Sequence, residues 1–336
     1  MKKRFVIFAM AAAMALNLAA CGGNGSGNSG DSAQSAASGE ASSQYKISVC
    51  LKTLSAEYWT FVKAGCDQAG IDLGVSVDVK GPTSETAFDE QQNMIETDLN
   101  SGYDAFIISP LQADTVATLI AGETKPVIAL DTDVDAPEVL TFVGTGNEAA
   151  AAMGAKAAVE AAKEAGWTDI TAICLSGVQG DGTATARFNG YKSGVEEAGG
   201  TFLADETQYA DAVADKAVNS MEAIMQNHPE GVAIICCNND DMAIAAARAA
   251  KGNSAYEKTV FLGFNGDKQA CEAILADELT MSVAQEAYSM GYMSVEKAVA
   301  ALKGEKLEDF TDSGCDIVTK ENAQERLDTL NGYLGK

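Results

Sequence analysis

Thr141-Phe142-Val143-Gly144-Thr145-Gly146-Asn147 closes one series of alternating strands and helices and opens another. Its first three residues are a β-branched and aromatic run, the two glycines interrupt it, and an alanine-rich helix is predicted from 147 to 165. Upstream, strand-like runs at 47–51, 75–79, 105–109 and 126–130 are separated by amphipathic runs at 58–73, 86–99 and 113–121. Downstream, strands are expected at 170–175, 232–236 and 260–264, with helices at 184–198, 212–226 and 243–250. Strands alternating with helices in this way predict parallel sheets with crossover helices. A series that stops and restarts predicts two of them, so the fold class is α/β with two doubly wound lobes.

Open α/β sheets bind ligands beyond the carboxyl ends of their strands. The residues at those ends here are polar: Lys52, Asp131, Asn239, Asn265 and Gln285. Several short motifs surround them. They are Val49-Cys50-Leu51-Lys52-Thr53-Leu54 with Tyr58-Trp59, Gly81-Pro82-Thr83, Ile128-Ala129-Leu130-Asp131, Arg187-Phe188-Asn189-Gly190-Tyr191, Asn239-Asp240-Asp241-Met242-Ala243, Gly263-Phe264-Asn265-Gly266 and Val283-Ala284-Gln285. In this order and spacing they resemble the type I periplasmic sugar-binding proteins, which include the ribose and allose receptors, and the first stretch is most similar to the allose-type branch. The resemblance covers nearly all of the chain after residue 44.

That resemblance implies a solute-binding protein that captures a monosaccharide for the permease and ATPase of an ABC importer. It also implies two lobes joined by a three-strand hinge, with crossings near Thr145, near Gln285-Glu286 and near Gly314-Cys315. The lobes are expected at 45–145 with 286–314, and at 146–285 with 315–336. A ligand role for Lys52 is implied by the allose-type likeness, the alternative being a salt bridge to Asp131 or another acid. Where ribose-type relatives have an aspartate, an arginine and an aromatic, this chain has Asn265, Thr132 and Ala212. The pocket is therefore expected to be less polar and roomier, with Tyr209 a candidate to replace the missing ring.

The chemistry stands apart from the resemblance. A sugar offers apolar C–H faces and a rim of hydroxyls, so its site needs flat aromatic walls and planar paired donors and acceptors. Tyr58 and Trp59 are the candidate walls, or else core residues of their helix. Asp131 and Arg187 supply charge-assisted bonds, while Asn239 and Gln285 each carry donor and acceptor in one plane. Surface or inter-lobe polar contacts are the alternative for these four.

The amino terminus has its own logic. Met1-Lys2-Lys3-Arg4, an apolar run at 5–16 and Leu18-Ala19-Ala20-Cys21 have the layout of an export signal at 1–20. The apolar run is shorter than the ~20 residues a spanning helix needs. Leu-Ala-Ala-Cys resembles a lipobox, which implies a lipid on Cys21 and a protein held at the extracytoplasmic face of the cell membrane. Residues 21–44, without a large apolar side chain beyond the cysteine, are expected to be a flexible tether.

The 336 residues carry 23 bases and 48 acids, a net charge of −25, which becomes −28 once the three signal bases are removed. Such a charge disfavours nucleic acid as a partner. Seven cysteines remain beyond Cys21, an odd number with no C-x-x-C pair, and are expected to be buried free thiols. An enzyme is not expected: the only histidine, His228, has no nucleophile elbow beside it. Asp131-x-Asp133-x-Asp135 lacks the glycine of a calcium loop and Gly144-x-Gly146 lacks the third glycine of a dinucleotide fingerprint, so neither metal nor cofactor is expected. A monomer is expected. The rival function is a receptor that presents a sugar or a furanosyl autoinducer to a membrane sensor.

Overall fold

The computed structural model describes residues 45–335; the expected signal, the tether and Cys21 lie outside them. The first series runs β1 (Lys46–Cys50), α1 (Glu57–Leu73), β2 (Ser76–Lys80), α2 (Phe88–Leu99), β3 (Ala105–Ile108), α3 (Ala113–Leu119), β4 (Val127–Leu130) and β5 (Val139–Gly144). The second runs α4 (Asn147–Glu164), β6 (Thr171–Ser176), α5 (Gly182–Glu197), β7 (Thr201–Phe202), β8 (Gln208–Tyr209), α6 (Ala214–Asn227), β9 (Ile234–Cys237), α7 (Asp240–Ala250), β10 (Val260–Asn265), α8 (Lys268–Leu275) and β11 (Met281–Gln285). The chain ends with α9 (Ala287–Leu302), β12 (Phe310–Asp312), β13 (Cys315–Val318) and α10 (Ala323–Tyr333).

Two sheets result. The first has the order β12-β5-β4-β3-β1-β2 and is parallel throughout. The second has the order β13-β11-β10-β9-β6-β7, with β8 also paired to β6 and β13 alone antiparallel. The chain passes between them three times: from β5 through α4 to β6, from β11 through α9 to β12, and from β12 to β13. Sheets covered on both faces read as continuous apolar runs, which is why Phe106-Ile107-Ile108 and Ile234-Ile235-Cys236-Cys237 are wholly buried.

Close helix packing holds α9 to the first sheet's side although it follows β11 of the second. A Cβ at Gly65 of α1 would fall 2.0 Å from the Tyr288 carbonyl oxygen of α9, and one at Gly291 of α9 would fall 2.0 Å from that of Val62. Neither helix could approach so closely with a side chain at these positions. The α4–α5 pair uses the same device at Gly190, where a Cβ would lie 2.1 Å from the Glu148 carbonyl oxygen.

Six of the cysteines are buried free thiols; Cys315, in the edge strand β13, is exposed, against expectation. Its strand pairs only with β11, and the first two residues of that strand, Cys315 and Asp316, are exposed. Burial pushes the Cys66 and Cys174 thiols up to about 12. No helix among the described residues is long and apolar enough to cross a membrane.

Candidate functional site

The carboxyl ends of the two sheets face one cleft, and hydrogen bonds from the helices fix the loops that line it. Gln91 of α2, 2% exposed, donates to the carbonyls of Leu51 (3.0 Å) and Ser109 (2.9 Å) and accepts from the Leu111 N–H (2.7 Å). It thereby ties the ends of β1 and β3 together and sets where Lys52 starts. Asp131 follows β4 with φ +64°, a left-handed conformation uncommon outside glycine though aspartate tolerates it better than most, and its N–H donates to the Val143 carbonyl (2.9 Å). Asn265, at the end of β10, has φ +127°. Backbone strain of this kind persists where surrounding contacts over-determine it and clusters at functional sites.

Lys52, Tyr58, Trp59, Asp131, Arg187, Asn239 and Asn265 all line this cleft. The Tyr58 hydroxyl donates to Asp131 Oδ1 (2.9 Å), and its ring meets Trp59 edge-on at 5.0 Å. Both rings are almost fully buried, so they serve the core and the cleft wall at once. Arg187 Nε donates to Asn147 Oδ1 (2.8 Å) and Nη1 to the Asn238 carbonyl (2.7 Å), while its guanidinium stacks 3.8 Å above the Phe264 ring. Asn239 caps α7, accepting from the Met242 N–H (2.9 Å) and donating to the Ala212 carbonyl (3.2 Å). Gln285 is not among the lining residues; it donates to Asn265 Oδ1 (2.9 Å) from behind.

Five polar lining residues escaped the sequence reading as site candidates: Glu85, Asp181, Thr183, Asn238 and Asp241. Asp181 carries a legible signal, an aspartate opening a helix just after a strand, and its side chain caps α5 through the Ala184 N–H (2.8 Å). Glu85 accepts from the Trp59 indole N–H (3.2 Å). These polar groups crowd the cleft, and the space they leave open to a water molecule is about 30 Å³. Tyr209 does not supply a substitute ring: it is 50% exposed on β8 and outside the lining.

Lys52 joins the two sides of the cleft. Its Nζ lies 2.5 Å from Asp181, 3.2 Å from the Thr183 hydroxyl and 3.8 Å from Asp131. Burial opposes its charge, but Asp181, Asp131 and Glu85 outweigh that and raise its pKa. Burial likewise works against the Asp181 carboxylate, and Lys52, Thr183 and the Ala184 N–H more than compensate, so its pKa is lowered. Burial, followed by the Asp131 charge, pushes the Tyr58 phenol far up, which keeps it a donor. Beneath the cleft, burial raises both Asp240 and Asp267, the former accepting from Ser282 Oγ (2.5 Å) and from the Asp267 N–H (2.9 Å). Among the described residues no group of three or more His, Cys, Asp or Glu is placed to hold a metal.

Residues 47–306 match the family described as periplasmic binding protein domain. The chain belongs to that family. This periplasmic binding protein is 29% identical over 272 residues to the D-allose-binding periplasmic protein of Escherichia coli, with 78% of this chain and 86% of the relative covered. It is 25% identical over 272 residues to the ribose import binding protein of Bacillus subtilis, covering 79% and 84%. Among solved structures it matches a carbohydrate transporter solute-binding protein from Agrobacterium radiobacter in complex with D-arabinose, with TM-score 0.78, 26% identity, and coverage of 87% and 99%. A solute-binding protein from Agrobacterium vitis with bound D-fucose gives TM-score 0.75 at 26% identity, covering 85% and 99%.

Proposed function

We propose that this periplasmic binding protein captures a monosaccharide of the allose and ribose kind outside the cytoplasmic membrane and delivers it to the permease and ATPase of an ABC importer. The observation that carries the reading is convergence: polar side chains from the two halves of the fold line a single cleft beside the Tyr58 and Trp59 rings, Lys52 and Asp131 from strand ends of one sheet, Asn239 and Asn265 from strand ends of the other and Arg187 from α5 beside it. Planar polar groups around aromatic walls match hydroxyls and C–H faces. The names of the relatives, which bind D-allose and import ribose, support the same class.

The ligand is admitted when the lobes at 45–145 with 286–314 and at 146–285 with 315–336 swing apart on the three crossings, and the Lys52–Asp181 contact gives way. No step in this reading is catalytic. Anchoring is assigned to a lipid on Cys21, and the protein acts as a monomer. A thermal-shift screen of the processed protein against pentoses, hexoses and polyols tests the function. A ligand at a hundred times its Kd stabilises by about 2.7 kcal/mol, whereas no shift with any sugar would overturn the reading. Cys21→Ser tests the anchor: the variant should leave the membrane fraction, and its retention after a high-salt wash would contradict the lipid.

A further inference from the structure

The cleft holds more acceptors than it can satisfy. Four carboxylates, on Glu85, Asp131, Asp181 and Asp241, stand against two cations, Lys52 and Arg187, an excess of two negative charges when all are ionised. Lys52 is shared, lying within 4 Å of both Asp131 and Asp181. Arg187 has neutral partners, an amide, a carbonyl and an aromatic face. Thr132, beside Asp131, adds a hydroxyl and no charge.

A separate observation points the same way. Among the described residues, one lining side chain holds a buried acceptor with no donor: Asn238 Oδ1, on a side chain 8% exposed. A buried acceptor without a donor is destabilising, and a buried excess of charge more so. A ligand that brings donors and positive charge relieves both.

We propose that the sugar taken by this cleft bears an amine, its ammonium lying beside the Asp131, Asp181 and Glu85 carboxylates and a hydroxyl donating to Asn238. The inference rests on the sugar-capture reading and narrows it. An ammonium carries three donors where a hydroxyl carries one, and its bonds to carboxylates are charge-assisted. Burial already pushes the Glu85 and Asp241 carboxyls up, a push that a cation beside them reverses.

Matched pairs test it: D-glucosamine with D-glucose, D-galactosamine with D-galactose, D-mannosamine with D-mannose and D-allosamine with D-allose, by thermal shift and calorimetry at pH 7. In at least one pair the amino sugar should bind about tenfold or more tightly than its parent. That preference should shrink in Asp181→Asn, where asparagine still caps α5. Parents that bind as well as or better than their amino analogues in every pair would overturn the amine and leave sugar capture standing. An amine preference unchanged in Asp181→Asn would also overturn the placement. Failure of every sugar, amino or neutral, here and in the wider screen would remove the function and the inference together.

Discussion

Lys52 Nζ, beyond the end of β1, lies 2.5 Å from Asp181, the residue that caps the helix after β6, so one ion pair spans the two sheets of the protein. Both side chains are at most 10% exposed. Such a pair contributes little net stability against its desolvation, but removing Lys52 leaves the buried Asp181 without its counter-charge, at a cost of up to about 3–5 kcal/mol. A hinged protein avoids that cost by opening. Lys52→Met is therefore expected to enlarge the radius of gyration of the sugar-free protein in small-angle scattering, and an unchanged radius would show that the pair does not hold the cleft shut.

The α1–α9 contact gives a prediction about stability alone. Gly291→Ala places a methyl group 2.0 Å from the Val62 carbonyl oxygen, so the two helices must separate. Overpacking of this kind costs about 1–3 kcal/mol. Chemical denaturation should show a lower midpoint of that size; an unaltered midpoint would mean that the helices do not pack backbone to backbone.

Asp240 and Asp267 set a pH dependence. Burial pushes Asp240 up to about 6 and Asp267 well above its ordinary value of 3.8, with the Asp240 charge adding to the effect at Asp267. A carboxyl whose folded pKa exceeds its unfolded one holds its proton more tightly when folded. Its contribution to stability is full below about pH 4 and is lost as pH rises through the folded pKa. Wild-type protein should thus lose more stability between pH 5 and pH 7 than Asp267→Asn, measured by denaturation at both pH values. Equal losses would contradict the assignment.

The thiols offer a simple count. Cys315 is exposed while the six other described cysteines are buried, so a native thiol titration should fall by one equivalent in Cys315→Ser. Fast labelling that does not change with this substitution would place the reactive thiol elsewhere.

Much of the fold was legible because parallel strands buried on both faces are continuous apolar runs, as at Phe106-Ile107-Ile108, and because the helices between them keep a 3.6-residue stripe. The strand-end rule pointed to Lys52, Asp131, Asn239 and Asn265, which line the cleft because turns after parallel strands leave residues at the sheet's rim, and to Gln285, which lies behind Asn265 instead. The end of the chain was less legible. Phe310–Asp312 is too short for a pattern, and Cys315–Val318 pairs along one edge only, so neither alternates. Glu85, Asp181 and Asp241 were missed because a charged residue in a loop or a first helical turn reads as solvent-facing; only the approach of the two sheets buries it.

The central claim is that a sugar is held between the two sheets by groups from both. Calorimetric titration of wild type, Asp131→Ala and Arg187→Ala with the sugar found by the screen tests it most directly. A single site per chain is predicted in wild type, with affinity more than about tenfold weaker in each variant, because each truncation leaves a buried hydroxyl without its charged partner. Wild-type affinity in both variants would contradict the site.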